Sequence, residues 1–162
     1  MTMKYFLTLS VFAISLFSCS TSVKKRQNKG TALLSEGKIR SELTKMMDKE
    51  GPYTFVIIEE PESGKFVQFA GNKNEELLFD FPSEQLSKKE FELASKILLN
   101  YDIHHETSPT YTDESETTQN GTLSTFSKRI KNDVDLAVEL TSKIMIDVFE
   151  FDENITLKIE TD

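Results

Sequence analysis

The chain has 162 residues, 38% of them hydrophobic and 28% charged, with one cysteine, no tryptophan and a formal net charge of −8. Five of its 19 basic residues (Lys4, Lys24, Lys25, Arg26 and Lys29) precede Gly30, so residues 30–162 hold fourteen basic against 27 acidic side chains, a net −13. That balance argues against a nucleic-acid partner, which needs clustered Lys and Arg, and a single cysteine leaves no disulfide to staple the fold.

Lys4 precedes Tyr5–Phe17, an apolar run with interspersed Ser and Thr. It is too short for a permanent spanning helix but suits a signal-peptide core, so residues 1–18 are expected to be removed. Cys19 ends this run, with small Ser18 before it and polar Ser20, Thr21 and Ser22 after it. The alternative is a small apolar residue inside an ordinary secretory signal. Leu16-Phe17-Ser18-Cys19 resembles a bacterial lipobox, in which the cysteine is lipidated and becomes the first residue of the mature chain. The resemblance implies a lipoprotein of the bacterial cell envelope, held by Cys19 in the outer membrane or on the periplasmic face. Burial of its acyl chains would contribute about 0.8 kcal/mol per methylene. Residues 19–30 are polar and basic with no periodicity, which suits a flexible tether. Its Lys24, Lys25, Arg26 and Lys29 suit anionic headgroups, at about 1 kcal/mol per charge near a surface. Residues 31–162 are long enough for one domain with one modest core.

In that domain a first helix is predicted within Leu33–Lys49, where Ile39, Leu43 and Met46 recur on one face before Gly51-Pro52 stops it. Tyr53–Glu59 is aromatic and β-branched and reads as a strand. Pro61–Gly64 turns it into a second, Lys65–Gly71, and Asn72-Lys73-Asn74 leads to a third, Leu77–Phe81. Tight turns between short strands imply an antiparallel meander. Ser87 and Glu90 form a capping box, with Leu86 and Phe91 placed for a hydrophobic staple, so a helix starts there and runs to about Leu99.

Tyr101–Lys131 is rich in Thr, Ser and acidic residues. Asn120-Gly121 is a hairpin-turn signal, and its flanks Thr110–Thr118 and Thr122–Ile130 read as a long polar hairpin, with disorder as the alternative. A last helix is predicted from Asp133 to Phe149, apolar enough to be buried either in its own core or across a homodimer seam. Ile155, Leu157 and Ile159 alternate with polar residues and suggest a final strand over 155–160. The expected fold is α+β, an antiparallel sheet of about five to six strands packed with three helices.

The stretch YTFVIIEEPESGKFVQFAGNKNEELLFDFP and the closing helix DVDLAVELTSKIMIDVFEF resemble the type III secretion chaperone-like fold, and within it the YbjN-related peptide-binding domains. The resemblance covers roughly residues 33–151; the Thr-rich hairpin and the terminal strand depart from it. It implies a module without enzymatic activity or cofactor that binds a peptide or protein partner, commonly as a dimer. Phe55, Ile57, Val67, Phe69, Leu78 and Phe81 are the candidate contact residues, on whichever sheet face the helices leave open. The same residues also suit a plain core. A different class, an acidic immunity-type or structural lipoprotein that neutralises a basic partner, would use complementary charge.

A small surface hydrolase or metal-dependent enzyme is the remaining class. His104-His105-Glu106 is where imidazole and carboxylate crowd together, but neighbours on a strand point to opposite faces, and a metal would need Asp102 or Glu114 to converge on them. Glu59, Glu60 and Glu62, like Asp113, Glu114 and Glu116, read as solvated acidic turns. Neither a Gly-rich phosphate loop, nor G-x-S-x-G, nor a zinc signature occurs. No catalytic or metal-ligating residue is therefore predicted.

Overall fold

A computed structural model describes residues 33, 35–52, 54–111 and 119–161. The signal-like run, Cys19 and the tether lie outside the described residues. Among those described, helix α1 (Glu36–Asp48) is followed by the meander β1 (Thr54–Glu60), β2 (Lys65–Asn72) and β3 (Glu75–Pro82). Helix α2 (Lys88–Leu98), the hairpin strands β4 (His104–Tyr111) and β5 (Gln119–Arg129), helix α3 (Val134–Lys143) and strand β6 (Lys158–Thr161) complete the order. The six strands make one antiparallel sheet in the order β4-β5-β3-β2-β1-β6. The fold is thus α+β, as expected, and among the described residues no helix is long and apolar enough to cross a membrane.

One face of this sheet carries the core. Val56, Ile58, Val67, Phe69, Leu77, Phe79 and Phe81 are all fully buried, and Ile39 and Leu43 of α1 and Ala137 and Leu140 of α3 join them. The stripe Ile39, Leu43 and Met46 is the helical period read from the sequence, now closed against the meander. The apolar last helix packs into the core of its own chain, so that of its two expected arrangements the first is the one seen. Gly64 closes the β1–β2 turn at φ +68, a backbone conformation that glycine adopts without a Cβ penalty.

The capping box forms as predicted: Ser87 Oγ accepts from Glu90 N, and the Glu90 carboxylate accepts from Ser87 N at 2.7 Å. Lys65 Nζ, 3.0 Å from Glu90, ties the start of β2 to the same cap and lies 5.1 Å from the Phe149 ring centroid. Desolvation pushes the Glu90 carboxyl up, but the bonds from Ser87 and the Lys65 charge outweigh it and hold the group below the ordinary glutamate range. A depressed pKa contributes stability above the unfolded-state value and loses it as pH falls through the folded one. Ser87→Ala is expected to cost about 1 kcal/mol in urea unfolding at neutral pH. That cost should shrink on acidification through the glutamate range, where the cap of the parent protein also weakens.

Four expectations need correction. The hairpin does not turn at Asn120-Gly121, because Gly121 lies within β5 opposite Thr110 and the connection falls in 112–118, outside the described residues. The register is set instead by Phe126, which pairs with Phe81 on one side and His105 on the other and packs on the Phe91 ring. The last helix is α-helical only to Lys143. Ile144–Val148 is a π turn, closed by Phe149 N to Ile144 O, and this wider turn buries Ile144, Met145, Ile146 and Val148 together. The final strand begins at Lys158 rather than 155, because β1 ends at Glu60, whose carbonyl is taken by Gly64 N. Glu60 is not a solvated turn residue. It is 3% exposed, and its carboxylate accepts from the backbone N of Glu62 and Ser63, an arrangement that lowers its pKa through the Ser63 and Glu62 hydrogen bonds.

Candidate partner-binding face

Strand alternation decides what the second face presents. Phe55, Ile57 and Glu59 leave β1 opposite to Val56 and Ile58, and the register carries this face across the sheet. One row runs Phe55, Ala70, Leu78, Arg129, and the next runs Glu160, Ile57, Gln68, Asp80, Ser127, His104. The six candidate contact residues therefore cannot share a face. Phe55, Ile57 and Leu78 lie on the open one, whereas Val67, Phe69 and Phe81 are fully buried under the helices, which corrects their expected exposure.

On the open face Phe55, Ile57, Gln68, Ala70, Leu78 and Asp80, together with the otherwise buried Phe69, line a depression of about 200 Å³. Phe55, 44% exposed, also borders a second groove of about 150 Å³ between α1 and β6, with Glu42, Lys45 and Met46 along it. The polar wall of the larger depression is a hydrogen-bonded ladder across three strands. Gln68 Nε2 and Thr125 Oγ1 each donate to one oxygen of Asp80. No cation among the described residues stands within ion-pair distance of Asp80. Arg129, diagonal to it, has its guanidinium 3.9 Å from Glu75 and 3.5 Å from the Glu76 carbonyl.

No protein-family model, curated protein or solved structure matches this chain.

The histidines do not converge. His105 lies on the helix side, its ring centroid 5.0 Å from that of Phe91 and 5.1 Å from that of Phe126, and its Nε2 is 3.1 Å from Ser83 Oγ. Ser83 Oγ also lies 3.0 Å from the Ser124 carbonyl, so its one hydroxyl proton is available to either acceptor, and which of them takes it follows the His105 tautomer. His104, on the other face, sits 3.2 Å from Asp102. Lys128 donates to the Tyr101 and Asp102 carbonyls and to the Asp102 carboxylate, and its hydrogen bond, with that of His104, holds the Asp102 carboxyl below its usual range. This cluster closes the 3-10 turn Leu99–Tyr101 that follows α2, where Asp102 adopts φ 56. Among the described residues no group of three or more His, Cys, Asp or Glu side chains is placed to hold a metal ion. Glu114 lies outside them.

Gln68, Ala70 and Asp80 were not singled out in the sequence. Their signal is nonetheless present: FVQFAG and LLFDFP each carry one polar residue at the parity opposite to their aromatics.

Proposed function

We propose that this chain is a non-enzymatic, lipid-anchored protein of the bacterial envelope whose domain binds a peptide or protein partner through the helix-free face of its sheet. The observation that carries the reading is the apolar depression of Phe55, Ile57, Ala70 and Leu78 on that face. A solvated face of an antiparallel sheet is ordinarily polar, and the apolar side chains grouped on this one support a contact surface there. The kinship proposed with type III secretion chaperone-like domains rests on the order helix, meander, helix and on the apolar closing helix. The anchor rests on the lipobox-like run at Cys19.

A photo-reactive amino acid placed at Ile57 or at Leu78 in intact cells is expected to give a discrete adduct, while the same group at exposed Lys38 of α1 gives none. Cys19→Ser should move the protein from the membrane to the soluble fraction. Equal labelling from all three positions, or none from the sheet face, would remove the partner-binding reading; unchanged partitioning would remove the anchor. An adduct of twice the chain's mass would make the partner a second copy.

A further inference from the structure

Resting on that reading of the face, we infer that the depression takes the side chain of a Lys or Arg carried between apolar residues of a polypeptide segment, with Asp80 as its counter-charge. Asp80 sits on β3, a central strand, half-buried beside Leu78 on the same face and in one row with Ile57. Both of its oxygens are already oriented, one by Gln68 and one by Thr125. Each oxygen retains acceptor capacity, since an ionised carboxylate has about four lone-pair sites. Neutral donors hold the carboxylate in place, and no cation among the described residues compensates its charge, in surroundings that are apolar toward Leu78, Ala70 and Ile57. An incoming cation would make a charge-assisted bond there, the stronger kind of hydrogen bond.

Size and charge narrow the occupant. A depression of about 200 Å³ is smaller than the roughly 300–1,000 Å³ of drug-sized ligand pockets and suits one long side chain. The aliphatic stem of Lys or Arg would lie on the apolar residues while the head reaches the carboxylate. Leu78 and Asp80 are two residues apart on one strand, a spacing of roughly 6.6 Å that an extended segment matches with its own alternate side chains. The net −13 of residues 30–162 draws a basic segment toward the domain and disfavours an acidic one.

Because the chain has no tryptophan, a peptide's indole is the only one in solution. The full-length chain in detergent micelles is titrated into acetyl-LSKSLW-amide, with LSQSLW and LSESLW peptides as controls, and indole fluorescence is read. The lysine peptide is expected to bind at least tenfold more tightly than either control. Asp80→Asn should reduce it to the level of the glutamine peptide. Gln68→Lys, which supplies an internal cation while keeping the carboxylate, should do the same, and circular dichroism verifies that each variant is folded. Equal binding of all three peptides, no lysine-peptide binding at millimolar concentration, or undiminished binding by both variants would overturn the inference. Position-specific adducts from Ile57 and Leu78 that persist beside such a result would leave the partner-binding face standing with a different occupant; their absence would end both.

Discussion

Phe81→Ala is expected to lower stability by about 3–5 kcal/mol, with a urea midpoint roughly 2 M below that of the parent protein, whereas Phe55→Ala should cost no more than about 1 kcal/mol. The two residues are both aromatic strand positions of the meander, and only the face distinguishes them. The Phe81 ring is fully buried, with its centroid 6.4 Å from Phe79, 6.2 Å from Phe126 and 5.8 Å from Phe149. It joins the meander, the hairpin and the segment after α3, so its removal leaves a cavity that no single element can collapse to fill. Phe55 keeps 44% of its surface in water, and its truncation exposes little that was covered. Urea unfolding followed by circular dichroism compares them directly. Equal losses would mean that the face does not distinguish the two residues, and Phe55→Ala with a large loss would remove that residue from the contact surface.

Gln85→Ala is expected to cost about 2–3 kcal/mol, an effect large for a polar residue on a short turn. The register of β2 and β3 pairs Gln68 with Asp80 and Ala70 with Leu78, so its continuation brings Phe66 opposite Pro82. Proline has no N–H to donate, and the ladder would stop with the Phe66 carbonyl unpaired. The Gln85 carboxamide fills the gap. Its Oε1 accepts from Phe66 N at 2.8 Å, and its Nε2 donates to the Phe66 carbonyl at 2.9 Å and the Pro82 carbonyl at 3.1 Å. Alanine leaves three part-buried backbone groups without this partner. Gln85→Glu keeps the acceptor but sets a carboxylate against two carbonyls, and should be at least as damaging at neutral pH. Retention of parental stability by both variants, measured in urea, would show that water replaces the carboxamide.

The order of elements was legible because it rests on local chemistry. Ile39, Leu43 and Met46 mark α1 by spacing alone, and the Ser87–Glu90 box starts α2 within one residue of its expected position. Asn120-Gly121 is an equally local signal that fails, because the pairing of Phe126 with Phe81 and His105 moves the hairpin's centre toward the N-terminal side. Gln85 gives no hint of its role, since its partner Phe66 is nineteen residues away and the need arises only from Pro82 in a register not yet known. The candidate site was half legible. Alternation separates Phe55, Ile57 and Leu78 from Val67, Phe69 and Phe81 once a register joins the strands, but both sets are apolar and neither announces which will be covered.

Residue periodicity, caps and turn residues act over a few positions, and they were enough to establish helices, meander, acidic balance and the lipobox-like run at Cys19. The covered face, the hairpin register, the π turn after α3 and the Asp80 carboxylate without a neighbouring cation among the described residues belong to the assembled molecule. Each depends on side chains from distant segments competing for the same buried surface, and that competition has no outcome until the helices dock on the sheet.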